Sequence, residues 1–224
     1  MPRMGRVVIP GLPHHLTQRG VRSAALFDDD EDRALYLDLL REQADQQGVR
    51  FHAWCLMTNH LHLIAVPERE DSLARGIGEA HRLYTRAKNF RDGVRGYLFQ
   101  GRFGSCVLDE PHLVRAARYI ELNPVSAGIV AKPEDYAWSS AGLHLGLRKT
   151  DPLNTDHRVV ETVGDWRAFL RERAAGDGLS LERHVSSGRP WGDTAFVEGL
   201  ERLLGRTLTR GQGGWPKGVP RRKR

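Results

Sequence analysis

The fold of this chain is decided by residues 55–66, Cys-Leu-Met-Thr-Asn-His-Leu-His-Leu-Ile-Ala-Val. Polar and apolar residues alternate in the second half of this stretch. His60 and His62 therefore share one face of a predicted strand, while Leu61 and Leu63 share the other. Two neutral imidazoles side by side can bind one divalent cation. An isolated His-X-His is more often a strand with two exposed histidines, so residues further along the chain must decide between the two interpretations.

The segments around this strand predict an α+β fold with the ferredoxin-like, split βαβ order. The predicted elements are a short strand at 15–19, a helix from an aspartate cap at 28–30 to about Gln47, strands at 51–58 and 59–66 joined as a hairpin, a helix from Ser72 to about Asn89, and a strand region at 97–109. The order β-α-β-β-α-β predicts an antiparallel sheet with two helices on one face.

A third helix is predicted from about Pro111 to Leu122. Proline is favoured in the first turn of a helix, and Pro124 is expected to end this one. At about 100° per residue, Tyr119 and Asn123 lie within about 40° of each other, beside the apolar stripe. This helix is the predicted catalytic helix. Asn123 has a second interpretation, as a cap of the helix end.

The remainder of the chain is predicted to form a small helical C-terminal region and a basic tail. We divide the sequence into a catalytic domain at 1–146, a helical accessory region at 147–205 and a tail at 206–224, with a linker of turn-forming residues at 146–156 and helices at about 159–174, 179–184 and 193–204. The accessory region is either a packing module or a hairpin-binding element. The tail carries seven Arg or Lys residues and no acidic residue, which predicts disorder in isolation and contact with phosphates.

Composition indicates a nucleic-acid partner. The 224 residues carry a formal net charge of +6 and a pI of about 9.7, a balance that favours polyanions. The two cysteines, Cys55 and Cys106, form no metal-binding pattern and are expected to be buried thiols in a reducing compartment. Because the chain shows no signal peptide and no apolar run of membrane-spanning length, we expect a cytoplasmic protein without membrane contact.

The two histidines, the tyrosine and the asparagine together suit phosphodiester cleavage by a protein nucleophile. Such cleavage needs an attacking hydroxyl, withdrawal of charge from the phosphoryl oxygens and alignment of the two. The Tyr119 phenol could attack and form a phosphotyrosine linkage. A cation on His60 and His62 could polarise the phosphate, and the Asn123 oxygen could complete its ligand set. Of the five tyrosines, Tyr119 alone has an amide partner four residues later.

Three segments together resemble the REP-associated tyrosine transposases, of the single-tyrosine HUH transposase superfamily. They are Asn-His-Leu-His-Leu at 59–63, Gln-Gly-Arg-Phe at 100–103 and Arg-Tyr-Ile-Glu-Leu-Asn-Pro-Val-Ser-Ala-Gly at 118–128, within a resemblance that covers about residues 7–145. The resemblance implies metal ligands at His60, His62 and Asn123 and a nucleophile at Tyr119. It implies a Mg²⁺- or Mn²⁺-dependent endonuclease and strand transferase that cuts single-stranded DNA beside hairpins of palindromic repeats. The implied product is a 5′-phosphotyrosine with a free 3′-hydroxyl, formed by a monomer or a homodimer.

Several basic residues are candidates for DNA contact. Arg102 is expected either to contact phosphate near the scissile bond or to bridge the sheet to Glu121. The same question applies, with weaker support, to Arg19 and Arg118. Backbone contacts are expected from the tail, including Arg221, Arg222 and Lys223. The alternative function is a regulator that binds DNA hairpins without cleaving them.

Overall fold

The histidine strand lies inside a four-stranded antiparallel sheet. The computed structural model describes residues 5–172 and 177–209. The strands are β1 (His14–Arg19), β2 (Val49–Leu56), β3 (His60–Pro67) and β4 (Gly104–Val107), in the spatial order β2-β3-β1-β4. This is the ferredoxin-like order, so the predicted fold class is confirmed. The predicted strand region at 97–109 is too long, because the strand itself spans only Gly104–Val107. Between residues 97 and 103, only Phe99 pairs with another strand residue, in an isolated bridge to Gly20.

Two helices cover one face of the sheet, as predicted. α1 (Asp30–Gln47) begins at Asp29, whose carboxylate accepts a hydrogen bond from the Asp32 amide, and ends at Gly48 in the left-handed conformation. α2 (Ser72–Arg91) packs antiparallel beside α1. It lies between β3 and β4 in the chain, as the split βαβ arrangement requires. The core on this face consists of fully buried side chains from both helices and the sheet, among them Tyr36, Trp54, Leu61, Leu63 and Tyr84.

α3 (Glu110–Ser126) packs on the opposite face, where His60 and His62 project. The Asp109 carboxylate accepts a hydrogen bond from the His112 amide and caps the helix. The prediction that Pro124 ends α3 is wrong. A proline removes only its own N–H bond, and the next turn retains bonds to the carbonyls of Asn123 and Pro124. Asn123 therefore lies inside the helix and is not its cap.

The first four of the C-terminal helices lie on the same face as α3, whereas the last packs through Leu200 on Val7, Ile9 and Val107. The C-terminal helices are α4 (Ala141–His144), α5 (Arg158–Val163), α6 (Trp166–Arg171), α7 (Asp177–Ser187) and α8 (Thr194–Leu204). One continuous helix over 159–174 was predicted. Instead, Gly164 adopts a positive φ of 81° and separates α5 from α6.

The predicted linker at 146–156 packs against the sheet. Leu153 is buried in the core beneath α1 and α2, and Asp151 accepts a hydrogen bond of 2.7 Å from the Trp54 indole. The division of the chain at residue 146 stays a prediction. Cys55 and Cys106 are both buried as free thiols. In the described ranges, none of the helices combines the length and the apolar composition needed to cross a membrane.

Candidate functional site

His60 and His62 each have one ring nitrogen held by a neighbour. The Nδ1 atom of His60 lies 2.7 Å from the Asn59 side-chain oxygen, so His60 donates its Nδ1 proton there. The Nδ1 atom of His62 lies 3.0 Å from Nε2 of His15 on the adjacent strand β1. The two rings are perpendicular, with centroids 5.1 Å apart. Each imidazole therefore keeps its Nε2 atom for a further partner.

Both imidazoles are held in their neutral form. Burial lowers the pKa of His60 and, more strongly, that of His62, and the nearby Arg19 guanidinium lowers both further. A neutral imidazole is the form that ligates a metal ion. The histidine pair is therefore in the protonation state that a metal site requires at neutral pH.

α3 brings Tyr119 and Asn123 to the histidine pair. The Tyr119 ring packs edge-on against His62, with centroids 5.6 Å apart. The Asn123 amide nitrogen lies 3.5 Å from His62 Nε2, and Asn123 also reaches His60. These contacts follow from the four-residue spacing, which puts both side chains on the helix face that meets β3. The structure thus brings together all four predicted catalytic and metal-binding residues.

Helix α7 covers the Tyr119 side chain. The Tyr119 hydroxyl donates a hydrogen bond of 3.1 Å to the Glu182 carboxylate, and the aromatic ring packs on Gly178. A Cβ atom at Gly178 would lie only 2.6 Å from the ring, so glycine is required for this approach. Burial, together with the Glu182 carboxylate, raises the pKa of Tyr119 to about 12. The phenol is protonated at neutral pH and must lose its proton when it attacks.

Two residues of this site were missed from the sequence. His15 carries a detectable signal, because it alternates with Thr17 and Arg19 in the predicted first strand. These two residues pair with His62 and His60, which puts His15 on the histidine face. Glu182 carries no such signal, since it reaches Tyr119 only through the packing of a distant helix.

A basic cleft adjoins the site. It has a volume of about 380 Å³, and its walls include Arg6, Arg19, Arg102 and His62, with Glu182 on the α7 side. Arg19 and Arg102 are exposed, as DNA contacts require. The expected bridge from Arg102 to Glu121 does not form, because Glu121 is buried and accepts hydrogen bonds from Ser140, His144 and Trp166 instead.

Of the remaining basic candidates, Arg118 faces away from the cleft, and the three in the tail lie outside the described residues. Arg118 is buried, and its guanidinium stacks on the Phe169 ring of α6 at 4.1 Å from the centroid. It also lies 3.5 Å from the Glu172 carboxylate. This side chain is directed towards α6 and not into the cleft, so the structure does not support a DNA contact from it. Arg221, Arg222 and Lys223 lie outside the described residues.

The donor set fits a hard divalent cation only if the Asn123 amide takes part. Over residues 5–172 and 177–209, there is no cluster of three or more His, Cys, Asp and Glu side chains that could hold a metal ion. His60 and His62 supply two nitrogen donors. Rotating the Asn123 amide by 180° would turn its oxygen towards them, which gives a mixed nitrogen and oxygen set with open positions. Such a set could hold the Mg²⁺ or Mn²⁺ that the sequence predicts, if water and phosphate oxygens filled the open positions.

Comparison with known proteins supports the fold. No protein-family model and no curated protein matches the chain. A solved REP-associated tyrosine transposase bound to a REP hairpin matches with a TM-score of 0.57 and 20% identity, over 70% of this chain and 92% of that chain. A protein from Deinococcus radiodurans R1, provisionally described as a transposase, aligns with 22% identity over 54% of this chain and 96% of its own, but its TM-score of 0.38 is too low to carry an argument. The chain therefore has the fold of a REP-associated tyrosine transposase, in agreement with the motifs of its sequence.

Proposed function

We propose that this protein is a transposase of the REP-associated tyrosine type, a metal-dependent endonuclease and strand transferase for single-stranded DNA. The observation that carries the proposal is the contact between the Tyr119 ring and His62, with Asn123 one helical turn away. A nucleophile, two neutral imidazoles and an amide meet beside a cleft lined by arginines. This combination suits attack on a phosphodiester far better than it suits a purely structural role.

Tyr119 is the proposed nucleophile. Its phenolic oxygen attacks the scissile phosphorus, and the bond from phosphorus to the 3′-oxygen breaks. The products are a 5′-phosphotyrosine and a 3′-oxygen that takes up a proton from solvent. The phenolic proton passes to the Glu182 carboxylate, which already accepts its hydrogen bond. Because the phosphotyrosine retains the energy of the broken bond, a 3′-hydroxyl can later reverse the step and complete strand transfer.

The site residues also orient the phosphate. His60, His62 and the Asn123 oxygen would hold Mg²⁺ or Mn²⁺. The chemistry that such a bound ion supplies is withdrawal of negative charge from the phosphoryl oxygens. Arg19 and Arg102 line the cleft and are suited to hold the DNA backbone on either side of the scissile bond.

The proposed substrate is single-stranded DNA that forms a hairpin at palindromic repeats. Two features support this choice: the net charge of +6 and the shared fold with a transposase solved bound to a REP hairpin. Charge alone would suit any nucleic acid, whereas the shared fold supports hairpin DNA as the substrate. We retain monomer and homodimer as alternative states of the active protein.

Covalent trapping tests the proposal. The protein is incubated with labelled hairpin oligonucleotides carrying single-stranded flanks, with Mg²⁺, Mn²⁺ or EDTA, and adducts are resolved by denaturing electrophoresis. We expect an adduct with Mg²⁺ or Mn²⁺ that is lost in EDTA and in Tyr119→Phe. The control Tyr97→Phe removes only the hydroxyl of a tyrosine that is 90% exposed and does not line the cleft beside Tyr119, and it keeps the aromatic ring, so it should retain adduct formation. Tight hairpin binding without any adduct would instead support the non-cleaving regulator.

A further inference from the structure

A second cavity opens on the other side of the basic cleft. It has a volume of about 700 Å³ and lies between α2 and the segment 96–103. Arg6, Arg102 and Phe103 line both this cavity and the cleft beside Tyr119, so the two are contiguous. Its size falls within the range of ligand pockets, about 300–1,000 Å³. A DNA strand leaving the cleft across these three residues would run directly over the cavity mouth.

The walls of the cavity are aromatic and apolar. The Phe99 ring stacks on His81 with centroids 4.2 Å apart, and Phe103 meets the same imidazole edge-on. Tyr97 lines the rim and is 90% exposed. Gly78 of α2 faces open space, because a Cβ atom there would meet nothing within 4 Å. An exposed tyrosine beside recessed aromatic rings offers the flat apolar surface on which a planar ring stacks.

The rim of the cavity is strongly basic. Arg6, Arg82, Arg86 and Arg102 surround the opening. Arg82 pairs with Glu79, and Arg6 stacks on Phe103 at 3.6 Å from the ring centroid. Arg86 and Arg102 are exposed, and neither has a hydrogen-bond or ion-pair partner in the part of the chain that the structure describes. These two guanidinium groups remain available for an anionic ligand.

We propose that this cavity, lined by Gly78, Tyr97, Phe99 and Phe103, holds an unpaired nucleobase from the single-stranded flank of the hairpin. Apolar walls would take the base, and the arginine rim would take the phosphates on either side of it, which is the charge pattern of a nucleotide. The base must be unpaired, because both faces of a base inside a duplex are covered by stacking. This inference rests on the proposed function in that the ligand is taken to be DNA.

Equilibrium binding tests the proposal without any chemistry. Hairpin oligonucleotides are prepared with a single abasic position at each site of the flank, and their affinities are measured by fluorescence anisotropy in EDTA. We expect one or two positions at which removal of the base weakens binding about 10-fold or more. Equal affinity for all the abasic oligonucleotides would overturn the inference.

Variants that fill the cavity test whether the base at the sensitive position of the DNA flank binds there. Gly78→Leu fills the cavity from a helix position with open space, whereas the matched control Gly199→Leu adds the same side chain to α8, outside the cavity walls. We expect Gly78→Leu to weaken binding as much as the abasic change does, with no further loss when the two are combined. Gly199→Leu should bind as the original protein does. Melting curves establish that Gly78→Leu is folded.

Two further measurements test the same cavity: DNA binding after removal of an aromatic side chain, and the fluorescence of a base analogue in the DNA. Tyr97→Ala should weaken binding of the intact oligonucleotide, whereas Phe90→Ala, which removes an equally exposed ring outside the cavity walls, should not. 2-Aminopurine at the sensitive position should be quenched on binding to the original protein and not on binding to Gly78→Leu. Losses for Gly78→Leu that are equal on intact and abasic DNA would mean that the cavity does not hold the base at that position, and would contradict the proposal. Absence of any hairpin binding would count against the proposed function itself. Hairpin binding that is the same for all abasic oligonucleotides would count only against the proposed base-binding cavity.

Discussion

The Nε2 atom of His15 lies 3.0 Å from the Nδ1 atom of His62, and the two rings stack nearly parallel with centroids 5.2 Å apart. His15 is fully buried, and its Nδ1 atom has no hydrogen-bond partner among the described residues. Burial lowers the pKa of His15 to about 3, so it is neutral at any working pH. The contact fixes which nitrogen of His62 faces Tyr119 and Asn123. His15 is thus a positioning residue for the proposed metal site.

We expect His15→Phe to weaken Mn²⁺ binding about 10- to 100-fold, because the ring volume is kept while the hydrogen bond that orients His62 is lost. Titration of the protein with Mn²⁺, followed by electron paramagnetic resonance of the free ion, measures this without DNA. His15→Gln retains a hydrogen-bonding side chain and should lose less affinity. A His15→Phe protein that is folded and binds Mn²⁺ as tightly as the original would refute the positioning role.

The Glu182 carboxylate is the proposed acceptor of the Tyr119 proton. At saturating hairpin DNA, Glu182→Gln should slow adduct formation about 100-fold, because the amide can accept a hydrogen bond but cannot remove the proton. Single-turnover kinetics of the covalent adduct measure the rate. Glu198→Gln on α8 is the matched control, since it removes an exposed carboxylate away from the cleft. Unchanged or faster adduct formation in Glu182→Gln would exclude this role.

The sequence predicted correctly which side chains share one face of a helix or of a strand. Tyr119 and Asn123 share a helix face, and His60 and His62 share a strand face, because helix and strand periods fix these relations within a few residues. Contacts that depend on long-range packing could not be predicted in this way. Glu182 reaches Tyr119 only because α7 folds back over the sheet.

Tertiary packing explains one wrong prediction, at Pro124, and one contact that the sequence did not indicate, at Arg118. Pro124 does not end α3, since one missing N–H bond is offset by packing of the helix against the sheet. Arg118 adjoins the nucleophile in sequence, yet it faces a different neighbour because α6 supplies the Phe169 ring. The local sequence contains no information on the sheet that packs against α3 or on the Phe169 ring that contacts Arg118.

Stability should depend on pH through the buried pair of His144 and Glu121. Burial alone would lower the pKa of His144, but contact with the Glu121 carboxylate leaves that pKa raised above its ordinary value. The resulting stabilisation is complete below the unfolded pKa of about 6.5 and is lost as the pH rises through the higher folded-state pKa. Urea unfolding between pH 5.5 and 9 should therefore show a difference between the original protein and His144→Asn that shrinks as the pH rises. A difference that does not change with pH would contradict this assignment.

Removing the acidic member of that pair should be more costly. Glu121→Ala leaves the donors of Ser140, His144 and Trp166 without their common acceptor in a buried site. We expect a loss of about 3–5 kcal/mol in the free energy of unfolding, measured by urea titration at pH 6. The matched control Glu198→Ala, at an exposed position, should change it by less than about 0.5 kcal/mol.

The packing of α7 on the sheet depends on the absence of a side chain at Gly104. A Cβ atom there would lie 2.8 Å from the Val185 side chain and 3.4 Å from the Val185 carbonyl oxygen, so Gly104→Ala should push Val185, and α7 with it, away from β4. The φ of Gly104 is not positive, and the backbone itself accepts alanine. We expect a loss of about 1–3 kcal/mol in unfolding free energy and faster amide exchange within α7.

A glycine-to-alanine substitution in the open environment of α2 should have the opposite effect on the free energy of unfolding. Gly78→Ala meets no atom within 4 Å and replaces a glycine inside a helix, so it should stabilise the protein by up to about 1 kcal/mol. Urea unfolding and hydrogen exchange with mass spectrometry on both variants compare the two sites directly. If Gly104→Ala left exchange in α7 unchanged, then α7 would not be held against β4 in solution. The hydrogen bond from Tyr119 to Glu182 would then lose its structural basis, because α7 is the element that brings Glu182 to the phenol.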